Sequence, residues 1–141
     1  MPITFLENDR RADSVPPPDA WLIVCLCAAW CDVCTRYRPD FQKLSKLHPE
    51  AHFMWIDVED RAELVGDFDI ENFPTLLIQR GDIVCFYGPV LPDPHVSGRL
   101  VKSYMDKSET SLRTEAQSSE EHIRWQRECN LYRKLKEECT S

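Results

Sequence analysis

The sequence predicts an α/β fold: a central mixed β-sheet flanked by helices on both faces, with an extra helix at the C-terminal end. Three observations predict it. Residues 21–28 are continuously apolar, the spacing turns helical from Asp32, and apolar runs at 75–79 and 83–87 are split by Arg80-Gly81-Asp82.

The elements follow in order. Residues 3–6 form a short strand, residues 7–14 hold a helical turn, and Pro16-Pro17-Pro18 is extended. Residues 21–28, with Ile23 and Val24 among small residues, read as a central strand covered on both faces. Val33, Tyr37, Phe41, Leu44 and Leu47 then recur at helical intervals, the apolar stripe of a helix lying on a sheet, with Pro39 inside it to bend it. Residues 53–58 make the next strand. Ala62, Leu64, Val65 and Phe68 suggest a short helix that ends before Asn72-Phe73-Pro74. The runs 75–79 and 83–87 pair as a hairpin closed by Gly88-Pro89. Val96, Leu100, Val101 and Tyr104 mark a last sheet-packed helix over 95–105. Residues 106–118 are almost purely polar and read as a linker. Ser118-x-x-Glu121 is a capping box, and Trp125, Cys129, Tyr132, Leu135 and Cys139 share one stripe of a helix over 119–139. The organisation is a domain of residues 1–105, a linker 106–118 and the C-terminal helix 119–139.

A chain of 141 residues with 43% apolar side chains can build one real core. The net charge of −7 argues against nucleic acid or an anionic membrane as a partner. Residues 1–20 carry two basic and four acidic side chains, the reverse of a secretory leader, and the apolar run is about half of the ~20 residues a membrane span needs. Cytoplasmic placement is the expectation.

Four of the seven cysteines, Cys25, Cys27, Cys31 and Cys34, crowd into ten residues. Such crowding cannot staple distant loops; a reducing compartment with one redox-active pair fits better. Cys31-Asp32-Val33-Cys34 follows Trp30 at the junction of strand and helix. Two thiols so spaced can close a small disulfide ring, and a helix start stabilises negative charge on the first. The residues propose thiol–disulfide exchange. Zinc commonly takes two separated cysteine pairs; a second pair is absent, so no metal is assigned, nor any nucleotide. Cys25, Cys27 and Cys85 read as core packing, with Cys25 also a third thiol under the pair. Cys129 and Cys139 read as incidental, and the four histidines receive no role.

Over residues 1–105 the chain resembles thioredoxins. The matching features stand in order: the apolar strand, Trp30-Cys31-x-x-Cys34, Pro39, the strand ending Ile56-Asp57-Val58, Phe73-Pro74-Thr75, and glycines 81 and 88. The resemblance implies a protein-disulfide oxidoreductase working in cell redox homeostasis. Cys31 would attack a substrate disulfide and Cys34 would release the mixed disulfide, so the redox-active disulfide Cys31–Cys34 takes the place of a cofactor. Pro74 would be the cis-proline beside them, Phe73 would offer its backbone to the substrate chain, and Trp30 would be an aromatic platform. The implied partners are protein disulfide substrates and a reductase or other dithiol donor.

The chain departs from the family at three points. Asp32-Val33 replaces Gly-Pro between the cysteines, placing a negative charge beside Cys31. The family's buried acid falls on Cys25, and the lysine that partners it aligns with Trp55 or a neighbour, with no lysine near. Either water or Cys25 itself must then accept the Cys34 proton, or exchange is slow. The alternative reading is a redox-impaired adaptor or chaperone-like binding module that keeps the fold.

Overall fold

A computed structural model describes residues 3–8, 12 and 15–140. The turn expected over 7–14 lies largely outside the described residues. Five strands, β1 (Thr4–Leu6), β2 (Trp21–Cys27), β3 (His52–Asp57), β4 (Thr75–Arg80) and β5 (Ile83–Pro89), form one sheet in the order β1-β3-β2-β4-β5. β1 and β2 run parallel to β3, whereas β4 is antiparallel to both β2 and β5. The sheet is therefore mixed, as expected. Gly81 makes the tight turn of the β4–β5 hairpin at φ 52°, and a Cβ there would collide with the Pro18 carbonyl oxygen.

Alternation along β2 divides the core in two. Leu22, Val24 and Leu26 face one layer with Met54, Ile56 and Leu77, while Ile23, Cys25 and Cys27 face the other with Phe53, Leu76 and Ile78. The second layer is closed by α1 (Asp32–Leu47), α3 (Pro94–Met105) and α4 (Glu109–Ala116). The first is closed by the short α2 (Ala62–Val65), by α5 (Glu120–Glu128) and by α6 (Leu131–Thr140).

The buried stripe of α1 is Cys34, Tyr37, Phe41 and Leu44, with Ser45 beside it. It is displaced from the expected one: Val33 is only half-buried and Leu47 is exposed, because the helix turns Cys34 inward toward β2. Pro39 is exposed inside α1, and, lacking an N–H, it cannot donate to the Thr35 carbonyl one turn earlier. A 2.5 Å hydrogen bond between Tyr37 and the buried Ser97 joins α1 to α3.

The region read as a polar linker is corrected by α4. Ser108 caps it by accepting from Ser111 N, and Leu112 and Ala116, four residues apart, bury its inner face. The single helix read over 119–139 is also corrected, since two helices stand there. The capping box read at Ser118 is corrected too: the first helix is capped by Ser119, whose hydroxyl accepts from His122 N, while the Ser118 hydroxyl donates to Glu115 O. The break falls at Asn130, whose Oδ1 accepts from Arg133 N and starts a new helix. The stripe of Trp125, Cys129, Tyr132 and Leu135 is buried, whereas Cys139 is exposed.

This tail is bound to the sheet through polar contacts as well. Gln126 of α5 brackets Val84 of β5: its Oε1 accepts from Val84 N and its Nε2 donates to Val84 O, both at 2.8 Å. Arg61, 1% exposed beside α2, forms ion pairs with Glu63 and with Glu138 of α6. A buried guanidinium keeps its charge, and such partners offset the cost of removing it from water.

Candidate active site

The site lies where β2 ends and α1 begins. Residues 28–31 make the turn, with Cys31 N donating to Ala28 O at 3.1 Å. Cys31 is the N-cap of α1 in an extended conformation, and its carbonyl accepts from Thr35 N and Thr35 Oγ1. Its thiol is free and half-buried. Cys34, one helical turn further, is buried.

The structure holds its disulfide in a different place from the one the resemblance implies: Cys34 is bonded to Cys27, not to Cys31, with the two Cα atoms 5.8 Å apart. Cys27 is the last residue of β2, on the face that carries α1, and the first turn of that helix sits against it. Strand alternation and helix packing thus bring together two sulfurs seven residues apart. The reading of Cys27 as packing alone does not hold. Cys25, two residues earlier on the same face, is fully buried, with its Sγ 3.7 Å from that of Cys27. Burial pushes the Cys25 thiol well above its ordinary range.

The aromatic frame is present. The Phe73–Pro74 peptide bond is cis. Trp30 is 69% exposed, and its ring meets Phe73 edge-on with centroids 5.7 Å apart. The Trp30 indole N–H donates to Glu59. The β2–β4 register pairs Leu26 with Thr75, so the end of β2 at Cys27 and the corner at Pro74 adjoin.

Other polar residues stand close by that the sequence reading did not single out. A cavity of about 150 Å³ is lined by Cys34, Thr35, Arg38, Glu7, Trp55 and Asp57, among others. The Arg38 guanidinium binds both oxygens of Glu7 at 3.0 and 2.9 Å and lies over the Phe5 and Trp55 rings. Asp57 is buried and accepts from Ala29 N at 3.0 Å and from Glu59 N and Asp60 N at 2.9 Å. Its position at the end of β3, parallel to Cys27 in β2, was the available signal. Among the described residues, no group of three or more His, Cys, Asp or Glu side chains is placed to hold a metal ion. Nor, among them, is any helix long and apolar enough to cross a membrane.

The family model described as Thioredoxin matches residues 4–89, more than half of the chain. The chain belongs to the thioredoxin family. A putative thioredoxin 2 of Streptomyces coelicolor is 29% identical over 111 residues, 76% of this chain and 83% of that protein. Thioredoxin-1 of Saccharomyces cerevisiae is 28% identical over 76 residues, 54% of this chain and 74% of its own. Among solved structures, thioredoxin f of spinach chloroplast superposes with a TM-score of 0.63 at 17% identity, covering 74% of this chain and 95% of its own. A mutant thioredoxin from Halobacterium salinarum superposes with a TM-score of 0.62 at 20% identity, covering 76% of this chain and 94% of its own. Membership in the thioredoxin family, together with a cysteine pair joined in a disulfide, supports thiol–disulfide oxidoreductase chemistry at the level of the family.

Proposed function

We propose that this chain is a protein-disulfide oxidoreductase in which Cys31 attacks a substrate disulfide and Cys34 releases the resulting mixed disulfide. The observation that carries the reading is Cys31 itself: a free thiol at a helix start, between an exposed Trp30 and a Cys34 in the same turn. The cycle starts from the reduced protein, in which the dithiol donor has opened the Cys27–Cys34 bond; Cys31 Sγ then attacks one substrate sulfur, and the other leaves as a thiolate. Cys34 Sγ then attacks Cys31 Sγ, and the second substrate sulfur leaves reduced. The Trp30–Phe73 contact supplies an apolar platform, and the backbone at Phe73 and Pro74 receives an extended substrate segment by strand addition.

Cys34 must lose its proton before it attacks. Cys25 is a poor acceptor, because burial keeps its own thiol neutral. The cavity beside Cys34 has room for several waters, and Asp57 in its wall is a carboxylate that can take the proton through them. A reductase or another dithiol donor returns the pair to the dithiol state, and the cytoplasm is the compartment that suits it.

Insulin reduction with a dithiol donor tests the proposal. Wild type should turn over, Cys31→Ser should not, and Cys34→Ser should accumulate mixed disulfides through Cys31. A wild-type protein inert with every dithiol donor would remove the oxidoreductase reading. It would favour a redox-impaired binding module, a role that the bond committing Cys34 to Cys27 also suits.

A further inference from the structure

We infer that Cys27 is a third redox thiol, so that the protein holds its disulfide in two alternative places: an outer Cys31–Cys34 bond and an inner Cys27–Cys34 bond. The inference rests on the oxidoreductase reading above and extends it inward.

Cys34 is the shared member. It is bonded to Cys27, with a Cα separation of 5.8 Å, inside the range of roughly 4.4–6.8 Å that disulfides span. It also stands three residues after Cys31, the N-cap of the same helix, the Cys-x-x-Cys spacing that a small disulfide ring can close. One sulfur can bond only one of these two partners at a time.

The conversion is an ordinary exchange. The Cys27 thiolate attacks Cys34 Sγ in the outer disulfide, the Cys31–Cys34 bond breaks, and the Cys27–Cys34 bond forms. Cys31 departs as a thiolate and takes up the proton that Cys27 gave away. One disulfide and one thiol stand on each side, so no external oxidant or reductant enters. The reverse step is attack of Cys31 on Cys34.

The two forms present different surfaces. In the inner form both bonded cysteines are buried, at 1% and 2% exposure, and Cys31 is a free thiol at the surface turn. Oxidising equivalents are then shielded while the attacking thiol stays available. In the outer form the disulfide includes Cys31 and is open to a reductase. Cys25, with its sulfur 3.7 Å from that of Cys27, is a positioning residue: a weak S–H donor that holds the Cys27 sulfur at the strand end.

The experiment uses the full-length chain, oxidised, quenched with iodoacetamide and digested with chymotrypsin. Cleavage after Trp30 separates Cys27 from Cys31 and Cys34. The expected wild-type product includes the two fragments joined through Cys27–Cys34 with Cys31 alkylated. Cys31→Ser should still form the joined product. Cys27→Ala and Cys27→Ser should give only the internal Cys31–Cys34 loop, and alkylation of Cys31 in their oxidised forms should fall to background. The inference is overturned if oxidised Cys31→Ser remains fully alkylated at Cys27 and Cys34 while wild type yields the loop alone. Insulin reduction run in parallel separates the two ideas. Turnover without the joined product removes the inner bond and leaves the oxidoreductase reading standing. The joined product without turnover removes that reading, and the inward transfer with it.

Discussion

Gln79 of β4 and Asn130, the residue that starts α6, meet in the core, where Gln79 Nε2 donates to Asn130 Oδ1 at 2.6 Å. The Gln79 carbonyl oxygen accepts from Leu131 N at 3.1 Å and Tyr132 N at 3.4 Å, while Asn130 Nδ2 donates to Asp82 Oδ1 at 2.7 Å. One buried amide thus pairs the first N–H groups of a helix from the side of the sheet. The C-terminal helices are thereby part of the domain's core, with Leu131 and Leu135 fully buried.

Replacing Gln79 with Ala should destabilise the protein strongly. It leaves the backbone N–H groups of Leu131 and Tyr132 without their acceptor in the interior, each costing about 1–3 kcal/mol when unpaired, and removes one of the hydrogen bonds of Asn130. Urea unfolding should show a lower midpoint, and an unchanged midpoint would mean that the tail is not held by this contact.

Trp30→Ala should leave stability nearly intact, since the ring is mostly exposed and surface changes usually stay within about 0.5 kcal/mol. Losing an aromatic contact worth about 0.5–1.5 kcal/mol should lower kcat/KM for a protein disulfide by roughly two- to tenfold. Steady-state kinetics alongside a melting curve separate the two effects.

Asp57→Asn should slow release of the mixed disulfide, because the carboxylate that can receive the Cys34 proton is gone. A positioned base contributes about 10²–10⁴-fold, and with water intervening the loss belongs at the lower end. The variant should also be less stable, since the asparagine NH₂ cannot accept from the backbone N–H groups that Asp57 now serves.

Alkaline solution should weaken the fold through its buried thiols. Desolvation pushes Cys85 and Cys129 up to about 12, against an ordinary value of 9.0. A pKa raised on folding means the native state holds the proton more tightly. The stabilisation is complete below pH 9 and is lost as pH rises toward 12, by at most about 1.4 kcal/mol per pH unit for each thiol. Urea midpoints at roughly pH 8 and pH 11 should differ, and Cys85→Ala should flatten the slope.

Much of this molecule was legible in the sequence because its signals are local. The apolar run of β2, the hairpin around Gly81 and the corner Phe73-Pro74-Thr75 each announce themselves within a few residues. The Cys27–Cys34 bond did not, because it depends on how the first turn of α1 settles against the end of β2, while the nearer pair Cys31 and Cys34 offers a complete reading by itself. The helix over Glu109–Ala116 hid for a similar reason: only Leu112 and Ala116 betray its inner face. Asn130 carries no signal in the stripe itself, because its part as a helix start depends on side-chain contacts with Arg133 N and the distant Gln79.

Gln126 has a consequence for behaviour in concentrated solution. β5 is the outermost strand on its side of the sheet, and an outermost strand with vacant amide and carbonyl groups is a template on which another chain can grow. By occupying both polar groups of Val84, the glutamine takes the place of a pairing strand at that residue, so an added chain would first have to displace it.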